Sequence, residues 1–153
     1  MASAYIDGLK MLGRRELSEA QIRQRLARKE HDPESIEEAV ERLLAERAID
    51  DMRVAEAIAR TETSIRRRGR LRVRLQIERA GIDKAIARRA VDEVFGALDP
   101  NSHIEAALNK RLRGRETIAD DKEFQRLYRF LAGQGFESDQ VMRVLNAHRT
   151  RRR

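Results

Sequence analysis

The sequence contains no cysteine, no tryptophan and only two prolines among its 153 residues. Without cysteine the chain can form no disulfide, thiol nucleophile or thiolate metal site. Aromatic residues make up only 4% of the chain, so large stacking platforms for unpaired bases are not obvious. No apolar run approaches the roughly 18 residues of a membrane span, and the first residues lack a signal-peptide pattern. These absences predict a cytoplasmic protein without a membrane segment.

Motifs that would carry catalysis or cofactor chemistry are also missing. His31, His103 and His148 do not stand at the spacing of a helical zinc site, and no glycine-rich phosphate loop occurs. Asp50 and Asp51 could suggest a metal, but one of them as the N-cap of a following helix is the stronger interpretation. We therefore predict no catalytic residue, no metal and no cofactor.

Charge is distributed unevenly along the chain. The net charge is +7, and it arises from −3 over residues 1–51, +6 over residues 52–98 and +4 over residues 99–153. A long positive stretch predicts an acidic or polyanionic partner for the last two thirds of the chain.

Apolar residues recur at helical spacing through nearly the whole chain, which predicts an all-α protein. The segment Leu71–Ile77 alternates as a strand would, but no other segment could pair with it, so we predict a helix there too. Ser18, and Asp32 before Pro33, are candidate N-caps, and Pro100 lies in a turn between two periodic stretches. The apolar stripes predict core faces that include Tyr5, Leu9 and Leu12; Val54, Ile58 and Ile65; Ile104 and Leu108; and Phe124, Leu127 and Leu131.

An internal repeat organises these helices. The apolar pair Ile22 and Leu26 recurs as Val73 and Ile77 after 51 residues, and as Leu127 and Leu131 after a further 54. In the second and third copies a glycine follows the helix, Gly81 or Gly135, which predicts a left-handed helix cap. The first copy has Glu30 there, which predicts a looser cap. Each pair is preceded by another helix, near 4–13, 52–66 and 101–112, and followed by an amphipathic one.

The repeat therefore predicts three tandem three-helix repeats that form an elongated, curved array. Their predicted boundaries are residues 4–50, 51–98 and 99–150. No unit is large enough for an extensive core of its own.

The order in which certain helix ends and turns follow one another is similar to that of a known family. They are the helix Leu17–Leu26, the helix end Leu43–Arg47 with residues 48–51 after it, the alanine-rich residues 54–58, and the helix between Arg68-Gly69 and Ala80-Gly81-Ile82-Asp83. This order resembles the RecX family of bacterial regulatory proteins, over about residues 5–148. The resemblance implies three three-helix repeats and a protein that modulates the RecA recombinase in DNA repair, recombination and the SOS response. It further implies binding in the groove of the RecA filament, where the protein limits strand exchange and filament growth.

Two basic runs are the predicted partner-binding residues. Six arginines fall within residues 66–74, and no acidic residue lies between Glu62 and Glu78. Leu71 and Leu75 should lie opposite the core residues Val73 and Ile77, either packed on another unit or as apolar anchors for a partner. Arg149, Arg151, Arg152 and Arg153 form a basic end that could fold onto a partner. The full set is Arg66, Arg67, Arg68, Arg70, Leu71, Arg72, Arg74, Leu75, Lys110, Arg111, Arg113 and Arg115.

Three functions remain open from the sequence, one of them a structural adaptor with an unrelated acidic partner. The first is a non-enzymatic, monomeric regulator that binds the RecA filament and mainly inhibits its recombinase and ATPase activity. The alternative is a helical module that contacts the phosphates of single- or double-stranded DNA through the basic middle repeat. Sequence-specific recognition is disfavoured, because the candidate helix with Lys84, Arg88 and Arg89 also carries Asp92 and Glu93.

Overall fold

The computed structural model describes residues 2–149, and these residues form nine α-helices. The predicted all-α fold is confirmed: the described residues contain an isolated bridge between Ile118 and Arg149 and no strand. Arg151, Arg152 and Arg153 lie outside the described residues. The helices are α1 Ala4–Arg14, α2 Glu19–Arg28, α3 Pro33–Ala45, α4 Asp51–Ser64, α5 Arg70–Arg79, α6 Lys84–Gly96, α7 Pro100–Leu112, α8 Asp121–Gly133 and α9 Ser138–Ala147.

The predicted helix caps are confirmed at the starts of α2, α3 and α4. The Ser18 hydroxyl accepts a hydrogen bond from the Gln21 amide, and the Gln21 side chain accepts one from the Ser18 amide. The Asp32 carboxylate caps α3, and Pro33 occupies its first turn. The Asp50 carboxylate accepts from the amide of Arg53 at 3.2 Å, with Ile49 buried beneath it. Local side-chain chemistry alone therefore sets these helix starts.

The alternating segment from Leu71 to Ile77 is helical, as predicted, and forms most of α5. Val73 and Ile77 are fully buried, whereas Leu71 and Leu75 are 44% and 48% exposed. The alternation therefore results from two apolar faces on opposite sides of one helix.

The turn after α8 is a left-handed cap of the kind the glycines predicted. Gly135 has φ 97°; its amide donates to the carbonyl of Ala132 at 3.0 Å, and the amide of Phe136 donates to the carbonyl of Leu131 at 3.3 Å. Gly81, after α5, has φ 79°. Phe136 is buried, as is Ile82 after Gly81. The turn after α8 thus folds Phe136 back into the apolar cluster that contains Leu127 and Leu131 of that helix.

The looser cap predicted after α2 is wrong. Glu30 has φ 66°, its amide donates to the carbonyl of Ala27 at 2.9 Å, and the amide of His31 donates to the carbonyl of Leu26 at 3.3 Å. This is the same double hydrogen bond as in the glycine turn after α8. The glutamate therefore adopts the left-handed conformation and accepts its steric cost.

The chain divides into two compact units, each made of two segments. Unit 1 contains residues 1–58 and 76–90, and unit 2 contains residues 59–75 and 91–153. In unit 1, α1 packs against α2 and α3; in unit 2, α7 packs against α8 and α9. These are the first and third predicted helix triads. The predicted boundaries of the three repeats, and their curved arrangement, stay predictions.

Helix α1 packs on α3 with a different face from the one predicted. Its buried residues are Ala4, Asp7 and Gly8, whereas Leu9 is 37% exposed. A Cβ atom at Gly8 would lie 2.9 Å from the Leu43 side chain, so the small side of α1 faces its neighbour. Tyr5 and Leu12 lie at the edge of this core as partly buried residues. The prediction that Leu9 belongs to the core is wrong.

The core face predicted for α4 is also wrong at its last residue. Val54 is buried, but Ile65 lies just beyond the last helical residue and is 74% exposed. The stripes of α7 and α8 are confirmed, because Ile104, Leu108, Phe124, Leu127 and Leu131 are all buried in one apolar cluster.

Each unit contains a contact between the start of a helix and a turn that carries glycine. In unit 1 the Ser18 hydroxyl donates to the carbonyl of Ala80, and a Cβ atom at Gly81 would lie 2.5 Å from that of Ala20. In unit 2 the amide of Gly69 donates to the carbonyl of Gln134 at 2.7 Å. The turn beside Gly135 thereby positions the residues that precede α5.

Candidate functional site

The first basic run lies in the connection between α4 and α5, within unit 2. The amide of Arg68 donates to the carbonyl of Glu62 at 2.9 Å, and Arg67 has φ 53°. The carbonyl of Arg68 accepts a hydrogen bond from His103 Nε2 at 2.8 Å, which fixes that nitrogen as the protonated one. We call residues 65–69 the arginine loop. Its backbone is anchored from both sides by α4 and α7.

Gly69 ends the arginine loop because no larger residue fits there. A Cβ atom on Gly69 would lie 2.3 to 2.4 Å from the backbone atoms of Gly135 and Phe136. The amide of Leu71 donates to the carbonyl of Gly135 at 3.2 Å beside this contact. Two backbone segments therefore touch directly, and this contact sets the position of the three arginines.

The second basic run follows the end of α7, also within unit 2. Arg113 has φ 51° and its amide donates to the carbonyl of Asn109, so the chain turns away from the helix there. Gly114 follows with φ 87°. Both terminal nitrogens of Arg115 donate to the Glu123 carboxylate on α8, each at 2.9 Å. This two-point contact holds the run against α8.

The two runs line one cleft, which we call the arginine cleft. Its volume is about 1040 Å³, and α8 adds Arg126 and the half-buried Phe130 to its lining. Of the described residues, the lining includes eight cationic side chains and one carboxylate, that of Glu123. The cations are Arg66, Arg67, Arg68, Lys110, Arg111, Arg113, Arg115 and Arg126.

Most of this positive charge is not neutralised by side chains of the described residues. Among residues 2–149, Arg66 pairs with Glu62 at 3.5 Å, and Arg115 and Arg126 approach Glu123. The Arg111 guanidinium lies 3.9 Å from the centre of the Phe130 ring. The remaining four cations, Arg67, Arg68, Lys110 and Arg113, form no ion pair within that range.

Two nitrogens of Arg68 are buried without a hydrogen-bond acceptor among the described residues, namely Nε and one terminal nitrogen. The side-chain oxygen of Gln134, at the same cleft, is likewise buried without a donor. An unpaired buried donor costs on the order of 1–3 kcal/mol. A ligand that offers acceptors to Arg68 would remove this cost.

The pKa values of the neighbouring groups reflect these contacts. The hydrogen bonds from Arg115 lower the pKa of Glu123, which stays ionised beside the cations. Burial lowers the pKa of His103, and the charge of Arg67 lowers it further. His103 also lies edge-on to the rings of Phe95 and Phe136, at 5.6 and 5.2 Å between ring centres. It therefore acts as a neutral donor that positions the arginine loop.

The other predicted site residues lie on α5, outside the arginine cleft. Arg70 donates to the Asp92 carboxylate and lies over the Phe95 ring, and Arg72 donates to the carbonyl of Gly133 at 2.8 Å. The guanidinium groups of these two arginines therefore have partners within the protein. Leu71 and Leu75 stay exposed on the same helix, which also carries Arg74.

Sequence reasoning placed seven of the cleft's cations but not the cleft itself. It missed Arg126, Gln134 and Phe130, which come from α8 and its end. Arg126 stands three residues after Glu123, so helical spacing could have placed it beside the Arg115 contact. In contrast, no pattern in the neighbouring sequence predicts that residues 65–68 lie beside residues 110–115.

The part of the chain that the structure describes offers neither a metal site nor a membrane-spanning helix. No group of three His, Asp or Glu side chains in residues 2–149 could hold a metal ion. None of the helices described above is both long and apolar enough to cross a bilayer. The arginine cleft is therefore the candidate site of the described residues.

The fold defines an all-α protein made of small three-helix domains, with a basic cleft in unit 2. Family models agree with this class: the first three-helix domain of RecX matches residues 4–43, and the third three-helix domain of RecX matches residues 101–145.

Curated relatives give the particular family. Regulatory protein RecX of Acidithiobacillus ferrooxidans is 33% identical over 143 residues, which cover 94% of this chain and 89% of that protein. Regulatory protein RecX of Halorhodospira halophila is 31% identical over 87% of this chain and 80% of its own length. The chain belongs to the RecX family.

A solved structure supports the fold. RecX from Lactobacillus salivarius superimposes with a TM-score of 0.77 at 19% sequence identity, covering 94% of this chain and 92% of that one. The family models and the curated relatives confirm the resemblance to RecX that the order of helix ends indicated.

Proposed function

We propose that this protein binds the filament of the RecA recombinase and limits its strand exchange and ATP hydrolysis. Membership in the RecX family supports the proposal, because its relatives are described as regulatory proteins. A regulator that occupies a surface of its target needs exposed contact residues and no reacting group of its own.

The observation that carries the proposal is where the exposed apolar side chains lie. Among residues 2–149 the three most exposed large apolar side chains are Ile65 at 74%, Leu75 at 48% and Leu71 at 44%. All three fall within eleven consecutive positions, and arginines surround them in the sequence. Protein interfaces are enriched in this combination, with apolar anchors at the centre and arginine around them.

Leu71 and Leu75 are the residues that we assign as anchors. They stand one helical turn apart on α5 and therefore point to the same side. Arg72 and Arg74 are their neighbours in the chain, and Arg72 is held in place by the carbonyl of Gly133. A partner that covers this face would bury both leucines at little cost in ordering, because the helix is already formed.

The test is RecA-dependent strand exchange and ATPase activity with the cognate recombinase. We expect the wild-type protein to suppress both activities at substoichiometric amounts. Leu71→Ser combined with Leu75→Ser should raise the amount needed for half inhibition at least about tenfold, which corresponds to about 1.4 kcal/mol of binding energy. Since both side chains are exposed, the thermal unfolding of the variant should change little.

A matched control is Leu44→Ser, because Leu44 is also a half-exposed leucine on a helix, at 38%, but lies in unit 1. This control should inhibit like the wild type. Strand exchange and ATPase activity that stay unchanged at saturating wild-type protein would refute the proposed function. An unaltered double variant would refute the assignment of the anchors.

The proposal also concerns how and where the protein acts. We expect a non-enzymatic protein that works in the cytoplasm, where its partner is found. The net charge of +7 opposes self-association, so we expect a monomer. Sedimentation at low and high salt measures this directly.

A further inference from the structure

We infer that the arginine cleft binds a single strand of nucleic acid through its phosphodiester backbone, without reading the base sequence. The inference concerns this cleft alone and goes beyond the proposed function. Its test contains no recombinase, so either proposal can fail without the other.

The charge of the cleft favours a polyanionic ligand. Eight cations surround a space of about 1040 Å³ with one carboxylate among the described lining residues. Such a concentration of like charge opposes folding through self-repulsion, which an anionic ligand relieves. Seven of the eight cations are arginines, whose planar donor pairs match phosphate oxygens in a two-point geometry.

The hydrogen-bond groups of the cleft favour phosphodiesters over an acidic peptide. Arginine and lysine side chains only donate, and a phosphodiester backbone only accepts. A peptide strand would also bring one N–H per residue, each of which needs an acceptor. Of the described side chains that line the cleft, only those of Glu123 and Gln134 offer acceptors, and Glu123 is already held by Arg115. A peptide's own donors would therefore find few partners.

Arg68 is the cleft residue whose side chain most lacks the hydrogen-bond acceptors that a phosphate provides. Its Nε and one terminal nitrogen are buried without an acceptor in the described part of the chain, while hydrogen bonds hold its backbone to Glu62 and His103. The backbone of Arg68 is therefore fixed, and its guanidinium has donors that no described residue uses. Phosphate oxygens only accept hydrogen bonds, so they match the chemistry of these unused donors.

The cleft is suited to backbone contact without base stacking. Phe130 is the aromatic residue that lines it among residues 2–149, and the Arg111 guanidinium lies over the Phe130 ring. Bases therefore find no free platform, so affinity should be nearly independent of base identity. A concave cleft surrounds one backbone, whereas a duplex presents its phosphates on a rigid convex rod.

Two of the cleft's arginines hold strained backbone positions, which provides a clean test. Arg67 and Arg113 have φ values of 53° and 51°, where glycine is the favoured residue. Changing both to glycine removes two cations and relieves strain. Loss of binding by this variant could then not be attributed to unfolding, because circular dichroism should show a melting temperature no lower than that of the wild type.

The salt dependence of binding gives the expected magnitude. Arg67, Arg68, Lys110 and Arg113 form no ion pair among residues 2–149, so we expect about four phosphate contacts. For a single strand this predicts a slope of log affinity against log salt of about −2.8. The variant Arg67→Gly with Arg113→Gly should reduce the slope to about −1.4 and weaken binding on the order of 25-fold near 0.1 M salt.

The experiment is fluorescence anisotropy with labelled oligothymidylate of about 16 nucleotides. Oligoadenylate and oligouridylate of the same length should bind within about threefold, because neither base nor 2′-hydroxyl is read. A duplex of equal length should bind more weakly. The matched control is Arg47→Gly, which replaces another exposed arginine at positive φ, 58°, in unit 1 and should bind like the wild type.

Three results would overturn the inference. One is an unchanged affinity and slope for the double glycine variant. Another is an equal loss in the Arg47→Gly control, which would indicate general electrostatic attraction. The third is polyglutamate that displaces the strand at a lower concentration of charges than unlabelled oligothymidylate, which would assign the cleft to an acidic protein segment.

Discussion

Glu30 occupies the position at which the two later turns carry glycine, and its φ of 66° lies in the left-handed region. We expect Glu30→Gly to raise the free energy of unfolding by roughly 0.5–1 kcal/mol. Relief of the left-handed conformation, about 1–2 kcal/mol, exceeds the added entropy of the unfolded chain. Urea denaturation measures the change. Glu30→Ala keeps the strain and should bring no gain, so an equal gain from alanine would contradict this explanation.

His148 is a second residue with a specific consequence. Its Nδ1–H donates to the Glu116 carbonyl at 2.8 Å, and its Nε2–H donates to the Glu105 carboxylate at 2.8 Å. Desolvation lowers the pKa of His148, but these hydrogen bonds outweigh it and leave the pKa above its usual 6.5. The charged imidazole therefore ties the end of α9 to α7.

The raised pKa of His148 predicts how stability depends on pH. Its contribution is fully present below pH 6.5 and is lost as the pH rises through the pKa of the folded protein. We expect the free energy of unfolding to fall over this interval, and His148→Gln to remove that fall. The lowered pKa of His103 destabilises the fold only below pH 6.5, outside the interval. Urea titrations in steps above pH 6.5 measure the effect, and a wild-type protein of constant stability would contradict it.

At the scale of secondary-structure elements, Gly69 controls how α5 meets the turn after α8. We expect Gly69→Ala to lower the free energy of unfolding by about 3 kcal/mol, because its Cβ would meet backbone atoms that cannot rotate away. The arginine loop should shift with it, so binding to the cleft should weaken as well. Thermal unfolding and the anisotropy assay measure the two effects.

Gly133→Ala is the matched control for that change. Gly133 lies in α8 of the same unit, and no atom lies within 4 Å of a Cβ atom built there. Alanine should stabilise the helix by about 0.5–1 kcal/mol. If Gly69→Ala were as well tolerated as Gly133→Ala, the close backbone contact would not matter in solution.

The helices show what local patterns determine and where they mislead. Ser18, Asp32 and Asp50 begin helices as predicted, because a cap depends only on residues within one turn. The core face of α1 was wrong at Leu9, because the close approach of Gly8 to Leu43 selects the small side of that helix. Periodicity shows that a helix has an apolar side, but the neighbour decides which side is buried.

At the scale of the whole molecule, the division into two units predicts which fragments of the chain fold on their own. Both segments of unit 1 lie within residues 1–98, and its core cluster lies within residues 4–49. We expect a fragment of residues 1–98 to retain folded α1 to α3, with dispersed amide resonances and cooperative unfolding. It lacks the second basic run and should not bind oligothymidylate.

A shorter fragment of residues 1–58 is the comparison for that experiment. It lacks the Ala80 carbonyl that accepts the Ser18 hydrogen bond, and Gly81, which packs on Ala20. It should therefore be less stable than the longer fragment. Equal stability of the two would show that residues 76–90 contribute little to unit 1.

The sequence by itself determined the helices, the N-caps of α2, α3 and α4, the recurring apolar pairs and the resemblance to RecX, because each of these depends on residues close together in the chain. It also identified seven of the eight cations that line the arginine cleft. Only the tertiary structure decided that residues 66–68 and 110–115 line a single cleft, since a contact across more than 40 positions leaves no local pattern. It likewise decided that Ile65 is exposed and that Gly69 permits the backbone contact that positions the arginine loop.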